Sequence, residues 1–179
     1  MRNQSCMSEG FDNLKNSGYA PVSGLKMYYE IHGTARGLNT PLVLVHGGGS
    51  TIDISFGKIL QPITETRQVI AFEQLADDAA ALLRYLEIEI SDFFGYSNGG
   101  SVVLQTAIRN PYLVRRLVIA SAMSERDSSY PEFWESIQHA TPQDMPAELR
   151  DAYLRAEPDP EDLPVFVAKS IRRMLEFRD

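Results

Sequence analysis

Asp92-Phe93-Phe94-Gly95-Tyr96-Ser97-Asn98-Gly99-Gly100 decides how the rest of the chain is read. An apolar run enters Gly-x-Ser-x-Gly, and Ser101 to Arg109 follows with the composition of a helix. A serine between two glycines at a strand-to-helix junction is the pattern of a nucleophile elbow, a turn so tight that larger side chains at 95 or 99 would meet neighbouring backbone. Such a turn lifts the serine above the sheet edge and exposes its hydroxyl. The next amide, that of Asn98, falls at a helix N-terminus, where negative charge developing on an attacked carbonyl is stabilised. Ser97 is therefore the expected nucleophile and Asn98 one half of an oxyanion hole. The five-residue pattern also arises in ordinary loops, so its flanks carry the weight.

Upstream, Pro41-Leu42-Val43-Leu44-Val45 is a short continuous apolar run, as expected of a strand buried on both faces of a parallel sheet. It leads into His46-Gly47-Gly48-Gly49, where glycines let the backbone turn sharply and bring an amide to the substrate without a Cβ in the way. Gly48, with Gly49 beside it, is the expected second oxyanion donor. Gly95, Tyr96, Gly99, His46 and Gly47 are the elbow and supporting positions. One histidine without nearby carboxylate or thiol partners lacks the ligand count of a metal site, and no Walker or dinucleotide glycine pattern follows. Neither metal nor cofactor is expected.

Arg67 to Phe72 reads as the next buried strand, and Leu75, Ala79, Leu82, Leu83 and Leu86 recur at helical spacing, with Asp77 and Asp78 in the first turn. After the elbow, Val102, Val103, Leu104, Ala107 and Ile108 make an apolar helix that Asn110-Pro111 stops, and Arg116 to Ala122 forms a further buried strand. Val22 to Gly33 reads as two short β runs about a turn at Ser23-Gly24. His32, at the end of that alternation, is expected to close a strand by hydrogen bonding rather than to act as a base. Residues 1–17 are polar and aperiodic and read as a loose arm.

The sequence has 179 residues, a formal net charge of −7 and 44% hydrophobic residues, which suits an ordinary globular domain with a core. The acidic balance argues against nucleic acid or an anionic membrane as partner, since both call for clustered Lys and Arg. With no apolar leader and no long apolar run, the expected compartment is the cytoplasm and the expected partner a small-molecule substrate. The single cysteine, Cys6, forms no internal disulfide and is given no function.

At the elbow and the His46 to Gly49 turn, the chain resembles the α/β-hydrolase family, in particular its cap-bearing esterases and proline-iminopeptidase-like members. The resemblance runs from about Gly18 onward and is strongest over 41–49 and 92–111. It implies an α/β fold with a mostly parallel sheet and flanking helices, here incomplete: a partial core over 18–127 and a helical cap over 128–179. It also implies a serine hydrolase, most simply an esterase on a small organic ester, with macrolactone antibiotics within the family's range. Proline iminopeptidases and C–C bond hydrolases remain alternatives, as does a catalytically silent remnant. Dehalogenases and epoxide hydrolases are disfavoured, because those relatives place an aspartate at the elbow.

Two departures qualify the resemblance. Between Phe72 and Leu75 the family's pocket-lining loop is missing, which implies an internal deletion and a lost pocket wall. The family's triad order is Ser, acid, His, with acid and base after later strands, and this chain stops in the cap, so it reads as truncated and impaired. Ser97, Asp127 and His139 keep the order formally but fall at places where the family has no triad members. An unpaired sheet edge, open to self-association, is the further expectation.

Overall fold

The structure is a computed structural model that describes residues 14–22, 24–34, 40–73, 77–156 and 161–175. Its centre is a six-stranded sheet of β1 (Leu14–Val22), β2 (Leu25–His32), β3 (Leu42–Val45), β4 (Val69–Phe72), β5 (Ser91–Tyr96) and β6 (Val114–Ala120). The spatial order is β1-β2-β4-β3-β5-β6. β1 and β2 form an antiparallel hairpin and β2 runs antiparallel to β4, while β4, β3, β5 and β6 are mutually parallel. The helices α1 (Ile52–Thr64), α2 (Asp77–Tyr85) and α3 (Asn98–Arg109) make the three crossovers between the parallel strands.

Continuous apolar runs become strands here because both faces of the sheet are covered. Val43, Val45, Ile70, Phe72 and Phe93 pack with Leu82, Leu83, Val102 and Val103 on one face. Leu44, Val69 and Ala71 pack with Ile52, Phe56 and Leu60 of α1 on the other. Alternate residues of one strand thus feed two cores, as the two-residue side-chain period requires. The hairpin is longer than the sequence suggests. Its first strand begins at Leu14, so the last four residues of the expected arm are strand, and residues 1–13 lie outside the described residues. The expected start of α2 at Leu75 also lies outside them, and the helix is seen from Asp77.

His32 has the structural role expected of it, through a side chain rather than the backbone. It is 3% exposed, with Nε2 2.7 Å from Glu30 Oε2, and the Tyr28 hydroxyl donates to Glu30 Oε1 at 2.9 Å. Burial pushes the Glu30 carboxyl up, but the hydrogen bonds from His32 and Tyr28 outweigh it and hold the carboxyl below its usual range.

At the end of β5 remote from Ser97, Asp92 is 5% exposed and held by two arginines. Arg115 donates to it in bidentate fashion, Nε to Oδ1 at 2.8 Å and Nη2 to Oδ2 at 2.7 Å, while Arg67 Nη2 reaches Oδ2 at 2.8 Å. The Arg115 hydrogen bonds, then that of Arg67, pull the carboxyl from 3.8 to about 2 against the opposing effect of burial. A folded-state value below the unfolded one means that this stabilisation is complete above about pH 4 and is lost as pH falls toward 2. It amounts to about 2 kcal/mol. Asp92→Asn is accordingly expected to lower stability by about that amount at pH 7 and to flatten the acid limb between pH 4 and 2, read from urea midpoints across pH. An unchanged acid limb would contradict it.

β6 occupies the outer position of the sheet, and much of it is open: Val118 is 55% and Ile119 40% exposed. Beyond it come a 3-10 turn (Arg126–Ser128) and the helices α4 (Pro131–His139), α5 (Ala147–Ala156) and α6 (Asp162–Leu175). Among the described residues, no helix is long and apolar enough to cross a membrane.

Candidate active site

β5 ends at Tyr96 and α3 begins at Asn98, so the whole reversal falls on Ser97, at φ 53° and ψ −126°. A serine in this region costs on the order of 1–3 kcal/mol and persists only where its surroundings over-determine it. Those surroundings are visible. The Ser97 N–H donates to Ala120 O at the end of β6 (2.8 Å), the Gly100 N–H donates to Ser97 O (2.8 Å), and Ser101 Oγ donates to Met123 O (2.8 Å).

The glycines are required by space. A Cβ on Gly95 would run into the Gly99 carbonyl and a Val103 methyl. One on Gly99 would strike the Val45 and His46 carbonyl oxygens, and one on Gly100 would lie 2.5 Å from Ala122 Cβ. The start of α3 is therefore pressed directly onto the end of β3, which the sequence pattern anticipates for 95 and 99.

That contact brings the His46 to Gly49 turn up against the elbow. A Cβ on Gly47 would sit 3.3 Å from Ser97 Cβ, and one on Gly48 3.7 Å from Asn98 Cβ. Gly49 adopts φ 69°. His46 Nδ1 lies 2.8 Å from Gly47 O, and its Nε2 3.1 Å from Glu73 Oε2. Glu73 also accepts the Ile52 N–H of α1 through Oε1 at 2.7 Å, and its own N–H donates to Tyr28 O at 3.0 Å. Glu73 thus ties the glycine turn to α1 and to the hairpin, a role the sequence reading missed. The signal available was an acidic residue placed directly after a buried strand and opposite a helix start.

Two cavities flank the elbow, and α6 walls part of each. Glu73, His46, Gly48, Asn98, Phe166 and Ser170 line a cavity of about 60 Å³. Ser97, Asn98, Ser121, Met123, Phe133 and Met174 line a larger one of about 230 Å³. Phe166, Ser170 and Met174 all belong to α6, which covers the elbow. Its carboxyl end is held by Arg126, whose Nη1 donates to Leu175 O at 3.0 Å and whose guanidinium lies 4.3 Å over the Trp134 ring. Tyr153 of α5 stacks on Phe166 with centroids 4.4 Å apart, which sets α6 from behind.

The formal Ser97, Asp127, His139 sequence is not assembled. Asp127 lies in the 3-10 turn and His139 in the last turn of α4, both exposed, and neither is among the described residues that line the 230 Å³ cavity with Ser97. His32 is committed to Glu30, and His46 to Gly47 and Glu73. Among the described residues, no side chain hydrogen-bonds the Ser97 hydroxyl.

No family model matches the sequence. The chain is similar to a proline iminopeptidase of Clostridium botulinum, 28% identical over 162 residues that make up 78% of this chain and 53% of that protein. It is similar to a 2-hydroxymuconate semialdehyde hydrolase of a Pseudomonas species, 31% identical over 53% of this chain and 40% of that protein. Among solved structures, a bacterial membrane phospholipase A superposes with a TM-score of 0.68 at 19% identity, covering 90% of this chain and 63% of that one. The chain has an incomplete α/β-hydrolase fold, and the relatives and solved structures it matches point to that superfamily. It spans about half the length of the curated relatives it matches.

Proposed function

We propose that Ser97 is the nucleophile of a hydrolase acting on a carboxylic ester, with the amides of Asn98 and Gly48 as oxyanion donors and α4 to α6 as a cap. The observation that carries this reading is the strained Ser97 backbone between Gly95 and Gly99, with the residue lining a cavity of about 230 Å³. Attack would convert the ester carbonyl to a tetrahedral oxyanion. Collapse would expel the alcohol, and water would then release the acid from the acyl-serine. A serine hydroxyl without an adjacent base is a poor nucleophile near neutral pH, and the described residues bring none to it.

The 179-residue chain is therefore expected to hydrolyse 4-nitrophenyl acetate no faster than its Ser97→Ala variant, measured side by side at pH 7 to 8. A serine-dependent rate well above that variant would show that the chain carries its own base, and His139→Ala would be the first variant to follow it. The same missing contact favours a second reading, a catalytically silent member. A fluorophosphonate probe separates the two once a histidine base is grafted beside Ser97, since it labels an activated serine and passes over an idle one.

A further inference from the structure

We propose that the larger cavity takes the acyl half of a short ester whose chain carries its own oxygen, a hydroxyl or keto group, and that Met174 sets the length it admits. The proposal rests on Ser97 being the nucleophile. Size comes first. The space beside Ser97, about 230 Å³, admits a four-carbon acyl chain with a substituent.

The lining comes next. Met123, Phe133 and Met174 give apolar walls, while Ser121 and Ser129 place two hydroxyls in the same space. Neither hydroxyl hydrogen-bonds another described side chain or backbone group. A plain hydrocarbon chain filling the cavity would take water from both and return nothing, whereas an oxygen on the chain restores the lost bond. That difference is worth about fivefold in affinity.

The limit on length comes from α6. Met174 lines the larger cavity, and its Sδ lies 3.4 Å from the position a Cβ on Gly48 would take. Gly48 walls the smaller cavity, and Asn98 borders both. The Met174 side chain thus stands between the Ser97 space and the space in front of His46 and Glu73. It is unbranched and fills its gap by conformation rather than by shape. Removing it joins the two spaces.

Binding of the acids themselves, read by titration calorimetry on the whole chain, tests this without requiring turnover. Butanoate, 3-hydroxybutanoate and octanoate are compared on the unchanged chain and on the Ser97→Ala, Ser121→Ala/Ser129→Ala and Met174→Ala variants. In the unchanged chain and in Ser97→Ala, 3-hydroxybutanoate is expected to bind about fivefold more tightly than butanoate. The double serine variant should abolish that gap, and octanoate should gain about tenfold or more in Met174→Ala. If Met174→Ala fails to fold, Met174→Val carries the same comparison.

Equal binding of the two short acids, octanoate bound as well by the unchanged chain as by the Met174 variant, or no binding of any acid would each overturn the proposal. A Ser97 that stays idle once a histidine base is grafted onto the chain, together with the expected binding pattern, would instead overturn the nucleophile assignment and leave the cavity assignment standing.

Discussion

Gly99→Ala is expected to destabilise the protein by more than about 4 kcal/mol, a large share of the stability of an ordinary domain. The added methyl would meet the carbonyl oxygens of Val45 and His46, which belong to strand and turn backbone and cannot swing aside as a long side chain could. Relief would require α3 to move away from β3, which would open the interface that presents Ser97 to the glycine turn. Gly24→Ala is the matched control. It sits at φ 76° with nothing within 4 Å of the added atom, so only the conformational penalty of about 1–2 kcal/mol applies. Urea unfolding followed by far-ultraviolet dichroism reads both, and equal midpoints for the two variants would show that the elbow is not packed as described.

The second large effect is catalytic. When a strand and loop carrying a histidine base are grafted onto the chain from a relative, Ser97 should become reactive, and Ser97→Ala should then cost on the order of 10⁴-fold or more in turnover. Everything the elbow itself must supply is in place: the reversal at Ser97, the glycines beside it, the helix start behind it and the turn across from it. What the described residues do not bring is the proton acceptor. His139→Ala should change little in such a chimera, because His139 stands exposed at the end of α4. A chimera that folds, turns over no ester and leaves its serine unlabelled by fluorophosphonate would sink the assignment of Ser97 as nucleophile.

The parts of the fold legible in the sequence were those governed by local rules. Continuous apolar runs marked β3, β4 and β5, helical spacing marked α2 and α3, and Asn110-Pro111 ended α3 where expected, with Asn110 as its C-cap. The elbow was legible because its chemistry demands small residues at fixed offsets. What the sequence could not reveal were partners far apart in the chain. Asp92 gathers Arg67 and Arg115 from 25 and 23 residues away, and Glu73 reaches across 21 residues to Ile52. The first strand ran longer than its polar composition suggested, because pairing with β2 satisfies its backbone whatever its side chains. The cover over the site was likewise hidden. The sequence marks 128–179 only as a helical cap, and nothing local says that Phe166 and Met174 of α6 lie near Gly48 and Asn98.

The backbone at Ser97 also bears on what keeps a serine there. Its φ of 53° and ψ of −126° belong to a region that glycine enters freely, so Ser97→Gly should raise stability, by about 1 kcal/mol, in the same step that deletes the hydroxyl. Stability and reactivity pull in opposite directions at this one position, and a thermal melt of the variant would register the first of them. A lineage with no use for a nucleophile could make that exchange with a single codon change and gain by it. The serine that remains in this chain is the costlier residue for its place, which is what continued use of the hydroxyl would require.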